Sequence, residues 1–198
     1  MKASKNADIS RYIRDAAFSL FLEKGYDGTN IREIAEEAGY KAPSIYFYYK
    51  SKDELFLQVL EDVWQNHIRA IEKLVLSTSN ICIDPKELFR KRIEAIYTDF
   101  AAYRFLLRYR VFPASGLMDA IREIYLKWEL AEKELHQSII CKFHHQESYN
   151  RNIGWETVYV QYKRTLNRII NDIVISGEFI DDKDIDMYWN RLLSELQD

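Results

Sequence analysis

Between positions 41 and 52, Lys41, Ser44, Tyr46, Phe47, Tyr48, Lys50 and Lys52 bring ammonium groups, hydroxyls and an aromatic ring together. Lysines and hydroxyls donate hydrogen bonds to phosphate oxygens, and the free N–H groups of a helix opening at Ser51-Lys52 would favour an anion. Ile45 reads as core. Tyr46 and Tyr48 cannot both be internal on so short a segment, so at least one of them faces outward. A second concentration of chemistry is aromatic: Tyr97, Phe100, Tyr103, Phe105, Tyr109 and Phe112, then Tyr125, Trp128, Trp155, Tyr159 and Tyr162. Such residues wall apolar ligand sites and supply a polar handle, and they also fill solid cores and interfaces. A third is Cys141 with His144 and His145, one helical turn from end to end; three ligands without a fourth fall short of a zinc site. His67 and His136 read as helix-surface or part-buried residues. No GxSxG, HExxH, Gly-rich phosphate loop or spaced acid pair is present, which argues against an enzyme.

The positioning elements are helices. From about Asp8 to Lys24, Ile9, Ile13, Ala16, Ala17, Leu20 and Phe21 recur at spacings of three and four, and Gly25 offers a left-handed cap. Asn30 and Glu33 have capping-box spacing ahead of Ile31, Ile34, Ala35 and Ala38, predicting a second helix of about nine residues. Gly39 supplies a turn needing positive φ, and Pro43 suits the first turn of a third helix carrying Ser44 to Tyr48. Ser51 caps a long fourth helix striped by Leu55, Val59, Trp64, Ile68, Ile71 and Val75, ended by Ser77 to Asn80.

Beyond it, Leu88, Ile93, Ile96, Tyr97 and Phe100 predict a helix starting near Pro85, with a break at Pro113 to Gly116. Leu117, Ile121, Ile124, Trp128, Ala131 and Leu135 predict another, and Tyr149 to Gly154 a polar loop. Val158, Tyr162, Leu166, Ile169 and Ile173 stripe a helix closed by Ser176-Gly177, and Ile185, Trp189, Leu192 and Leu196 a final one. No segment alternates as a strand would, so the expectation is an all-α fold.

The composition agrees. Of 198 residues, 47% are hydrophobic and 30% charged, with six glycines and three prolines, the balance of a folded globular chain rich in helix formers. Cys82 and Cys141 form no CxxC pair, which fits a reducing compartment. No signal-like or membrane-length apolar run is read, giving a cytoplasmic expectation. Net charge is -3, unlike a general nucleic-acid binder. Through Lys52, however, nine Lys and Arg stand against seven Asp and Glu, or +2, leaving nineteen against twenty-four, or -5.

A short helix, a glycine turn and a second short helix opening near a proline is the layout of a helix-turn-helix, whose second helix enters the major groove. The stretch from Ala16 to Leu57, above all Gly25-Tyr26, Thr29 to Ala35, Gly39, Lys41 to Tyr46 and Tyr49 to Phe56, resembles the DNA-binding region of the TetR family of bacterial transcription regulators. Two positions depart from the family pattern: Lys41 stands where a small capping residue is common, and Tyr48-Tyr49 replaces a His-Phe or Tyr-Phe pair.

The resemblance implies a helix-turn-helix DNA-binding domain over residues 1-52 and a larger helical-bundle effector-binding and dimerisation domain over 53-198. It implies a homodimer on a palindromic operator, with the last two helices as the interface, and a repressor released by a small amphiphilic or aromatic ligand, without a cofactor. A regulator governed by a protein partner, or by no effector, is the alternative. By position it implies phosphate contacts from Thr29 or Asn30, Tyr46, Tyr48 and Lys52, base-edge contacts from Arg32, Lys41, Ala42 and Ser44, with Tyr46 a candidate for either, and Phe47 beside them. The stripes of the last two helices are the interface candidates, unless they are ordinary internal packing. The ligand-pocket candidates are Tyr97, Phe100, Tyr103, Tyr109, Phe112, Tyr125, Trp128, Trp155, Tyr159 and Tyr162.

Overall fold

The computed structural model describes residues 2-77, 85-143 and 153-196, all helices and short connections. The helices are α1 (Lys2–Glu23), α2 (Ile31–Glu37), α3 (Ala42–Tyr48), α4 (Lys52–Ser77), α5 (Pro85–Thr98), α6 (Phe100–Val111), α7 (Met118–Phe143), α8 (Trp155–Val174) and α9 (Asp182–Glu195). No helix among the described residues is long and apolar enough to cross a membrane. The expected helix terminator beyond Ser77, Cys82, the pair His144 and His145, and most of the loop expected from Tyr149 lie outside the described residues, as does the side chain of Cys141.

Two compact units form. One comprises Met1–Asn66 with Arg104–Leu126, the other His67–Tyr103 with Lys127–Asp198. Neither is continuous in sequence, because α4, α6 and α7 each contribute to both; a division after residue 52 would fall at the first residue of α4, whereas the two units part within α4, between Asn66 and His67.

The first unit is organised by aromatic packing. Phe21 and Phe56 are fully buried and meet edge to face, with centroids 5.3 Å apart, and Tyr109 stands 4.7 Å from Phe56. The Tyr109 hydroxyl donates to the Phe21 carbonyl at 3.0 Å, a second donor beside Gly25 N at 3.1 Å at the end of α1. Burial pushes this phenol up to about 12. Gly25 and Gly39 both take positive φ, +80° and +75°, as the helix spacing requires.

The second unit buries the α8 stripe Val158, Tyr162, Leu166, Ile169 and Ile173 and the α9 stripe Ile185, Trp189, Leu192 and Leu196 in one core with Leu88, Phe89, Ile93 and Ile96 of α5. These stripes are thus internal packing, and the reading of them as the interface between copies is corrected: each is covered by its own chain. Asp181 caps α9, its Oδ1 accepting from Lys183 N at 2.8 Å and Asp184 N at 3.0 Å. Where a single helix was expected from Pro85 to Phe112, Asp99 divides α5 from α6 without glycine or proline. Its N–H still donates to Ala95 and its carbonyl accepts from Tyr103, so no backbone group is orphaned and no turn residue is needed.

Candidate nucleic-acid interface

Asn30 starts α2 as both donor manager and register pin. Its Oδ1 accepts from Arg32 N at 3.0 Å and Glu33 N at 3.1 Å, while the Glu33 carboxylate accepts from Asn30 N at 3.0 Å, completing the capping box. Lys24 Nζ donates to Glu33 at 2.8 Å, and that hydrogen bond holds the Glu33 carboxyl below its ordinary range. The box leaves the exposed Arg32 side chain projecting from the first turn of α2.

Lys41 is the N-cap residue of α3 and makes no side-chain cap; Pro43 lies in the first turn, where its missing N–H costs nothing. Ile45 is fully buried and anchors α3, so the helix's other faces turn outward: Tyr46 is 56% and Phe47 77% exposed, a cost that points to a partner surface. Phe47 and Tyr48 meet edge to face, and the half-buried Tyr48 donates to Asn6 at 3.4 Å. Tyr49 is buried, held by Arg14 Nη1 at 2.9 Å and paired with the Ser10 hydroxyl at 2.8 Å, while Arg14 also pairs with Asp62. This network fastens the end of α3 to α1 and α4.

Ser51 caps α4 through Glu54 N at 3.1 Å. One turn of chain away, Thr29, Asn30, Ile31, Arg32, Ala42, Pro43, Tyr46 and Lys52 line a single open groove. Six of the ten expected contact residues therefore share one concavity. Lys41, Ser44, Phe47 and Tyr48 lie on other parts of α3 and its cap. Ile31 and Pro43, which line the groove as well, were not anticipated, since apolar residues at helix starts read as packing.

Two residues carry different duties from those expected. Thr29 is 2% exposed, and its hydroxyl donates to Gly25 O at 2.8 Å and Leu20 O at 3.2 Å, so the hydroxyl is spent inside the chain and Asn30 is the exposed member of the pair. Lys52 is half-buried: Nζ donates to Tyr26 O at 2.9 Å and Thr29 O at 3.1 Å and lies 4.0 Å above the Tyr26 ring. Two of its three N–H groups lock the α1–α2 loop; its charge stays at the groove.

The same helix-turn-helix segment carries the sequence likeness. Residues 13-59, from the first fully buried residue of α1 to α4, match the family described as bacterial regulatory proteins, tetR family. A TetR-family transcription regulator from Marinobacter aquaeolei VT8 shares the fold, with a TM-score of 0.69 at 14% identity, over 98% of this chain and 97% of that one. Residues 13-59 are a TetR-type DNA-binding segment. Among sequence relatives, the chain is 25% identical over 185 residues to the HTH-type transcriptional regulator YerO of Bacillus subtilis, covering 89% of the chain and 60% of YerO. It is 38% identical over 56 residues to IcaR, the negative transcriptional regulator of the biofilm operon icaADBC of Staphylococcus epidermidis, covering 28% of the chain and 30% of IcaR. The chain thus matches less than two thirds of the length of either.

The pocket candidates do not gather in one place. Tyr109, Phe112 and Tyr125 belong to the first unit and the other seven to the second. Tyr109 is core. Tyr125 is buried too, its ring edge-on to Trp64 and its hydroxyl donating to the Leu106 carbonyl. Phe112 is 74% exposed, and Tyr97 and Phe100 are 37% and 39% exposed. These five do not gather round one hollow: three-residue and four-residue spacings place a ring on a stripe but not inside a cavity. Tyr103, Trp128, Tyr159 and Tyr162 are buried in the second unit, with Trp155 partly buried against its core.

What the aromatic count concealed is ionic. Arg92, Glu132, His67 and His136 are buried beside those tyrosines, correcting the surface or part-buried reading of both histidines. Arg92 Nη2 donates to Glu132 Oε1 at 3.1 Å and Lys163 pairs with Glu132 Oε2. Burial alone would raise the Glu132 carboxyl, but Lys163 and Arg92 outweigh it and hold it well below the carboxylate range. Burial, then the Arg92 charge, lowers His67 to about 3 and His136 to about 4, so both are neutral. The sequence signal was Glu132 and His136 at i and i+4 on a stripe otherwise apolar. Among the described residues no group of three His, Cys, Asp or Glu is set to hold a metal ion.

Proposed function

We propose that this chain is a sequence-specific DNA-binding transcription regulator of the cytoplasm, a homodimeric repressor released by a small amphiphilic or aromatic ligand. The observation that carries the DNA part is the outward presentation of Tyr46 and Phe47 on α3 beside a groove lined by Arg32, Asn30 and Lys52. Exposed rings flanked by cations suit the edge of a base pair and its phosphates and gain nothing from water. Asn30, Tyr46, Tyr48 and Lys52 are assigned to phosphates, Arg32, Lys41, Ala42 and Ser44 to base edges, with Phe47 against the groove wall. The repressing sense rests on the kinship with IcaR, whose name makes it a negative regulator. A palindrome needs two readers about 34 to 36 Å apart or a multiple of that, and the exposed faces of α8 and α9 are assigned to the second copy.

Fluorescence anisotropy on genomically selected operator DNA across a salt series tests this. Arg32→Ala should lose discrimination between operator and random duplex, whereas Lys52→Ala should weaken both alike and lower the salt slope by about one. Equal losses on both duplexes for Arg32→Ala would remove it from base reading, and failure of the unaltered chain to prefer any duplex would remove the regulator reading itself.

A further inference from the structure

The buried ion cluster of the second unit has unequal charge and unmet hydrogen bonds. Two cations, Arg92 and Lys163, face one carboxylate, Glu132, whose oxygens are both already used. The two histidines facing them, His67 from α4 and His136 from α7, are neutral and cannot balance the excess. The next carboxylates outward, Asp99 near Tyr103 and Glu129 near Tyr159, are exposed and half-buried respectively. Meanwhile Arg92 Nε, the Tyr162 hydroxyl and His136 Nε2 are buried without a well-formed hydrogen bond, although Arg92 and Tyr162 face each other. His136 Nδ1 lies 2.7 Å from the Glu132 carbonyl, so Nδ1 carries the proton and Nε2 is a bare acceptor. Lys163, the cation in excess, keeps its side chain 19% exposed, but three orphaned polar atoms in one cluster are each costly, and a single occupant relieves them together.

We propose that this cluster is a binding site for a monocarboxylate with an apolar body, the carboxylate accepting hydrogen bonds from Arg92 Nε and the Tyr162 hydroxyl. The carboxylate brings the charge that closes the balance. Its body lies against the rings of Tyr103 and Tyr159, and His136 Nε2 is the acceptor for a donor elsewhere on the same molecule. The inference rests on the effector part of the proposed function and names its ligand class.

Thermal shift and titration calorimetry with benzoate and octanoate, each against its amide at equal ionic strength, test it. The carboxylates should bind saturably and raise the melting temperature, and the uncharged amides should not. Tyr162→Phe removes an unpartnered hydroxyl and leaves the ion pairs intact, so the chain should fold as before while carboxylate affinity falls about tenfold, the loss expected of one hydrogen bond to a charged group. Absence of saturable binding by both carboxylates, equal binding of the amides, or undiminished binding by Tyr162→Phe would overturn the site. Operator binding measured in parallel separates the two readings: carboxylate binding that leaves operator affinity unchanged keeps the site and removes the effector role.

Discussion

At the level of single side chains, burial decides which charges act. Lys52 follows a tyrosine-rich helix in the sequence and reads as a phosphate donor, but two backbone carbonyls claim most of its ammonium group. His67 and His136 are the converse, ordinary in sequence and buried in the fold. Their folded-state values of about 3 and about 4 lie below the unfolded value near 6.5. As pH falls through 6.5 the unfolded chain takes up protons that the folded chain refuses, so stability declines on acidification and is fully present only above that pH. The loss approaches about 1.4 kcal/mol per pH unit for each histidine. Glu132, held low, contributes stability that disappears only below the unfolded carboxylate value near 4.3, outside this window. Melting temperature should therefore fall steadily from pH 6.5 to 4.5, and a His67→Gln, His136→Gln chain should show a flatter profile; an unchanged slope would mean that the two imidazoles titrate as if exposed.

Helix ends are where local sequence speaks most directly. The Asn30 box, the Ser51 cap and the positive-φ turns at Gly25 and Gly39 were legible because each is a matter of a few neighbouring residues. Tertiary context still grades them. Gly25 sits at φ +80°, and an added Cβ would lie 2.5 Å from Arg108 Nη2, part of a guanidinium that also holds the Leu22 carbonyl at 3.0 Å. Gly39 has φ +75° and open space around it. Gly39→Ala should cost about 1 kcal/mol for the left-handed backbone alone, and Gly25→Ala about another 1 kcal/mol for displacing Arg108. Denaturant melts of the two variants would compare them, and equal losses would show that Arg108 yields freely. The division at Asp99, by contrast, was not legible, since both flanking helices keep their hydrogen bonds across it.

For the whole molecule, the two amphipathic stripes at the C-terminal end illustrate what periodicity leaves open. A stripe says that a face must be covered, not by which chain. Leu166 is 2% exposed within the protomer, so Leu166→Ala should lower stability by about 2 to 5 kcal/mol whatever the oligomeric state. In the proposed dimer the second copy covers the outer faces, where Val160 is 44% and Met187 56% exposed and a groove between α8 and α9 is lined by Arg164, Arg168 and Arg191. A Val160→Asp, Met187→Asp chain should run as a monomer in light scattering with little loss of melting temperature. A dimer persisting in that variant would move the interface elsewhere.

The amino-acid sequence determined the helical class, the positions of α2, α3 and the start of α4, and that at least one of Tyr46 and Tyr48 faces outward, because caps, glycine turns and three-to-four spacing act over a few residues. Contacts between residues distant in the chain decided the rest: that Thr29 turns inward, that the aromatic candidates divide between two units, and that Arg92, Glu132 and Lys163, forty and thirty-one residues apart in succession, meet in the interior. Burial and charge balance are properties of what surrounds a group on every side, and a linear spacing specifies only one of those sides.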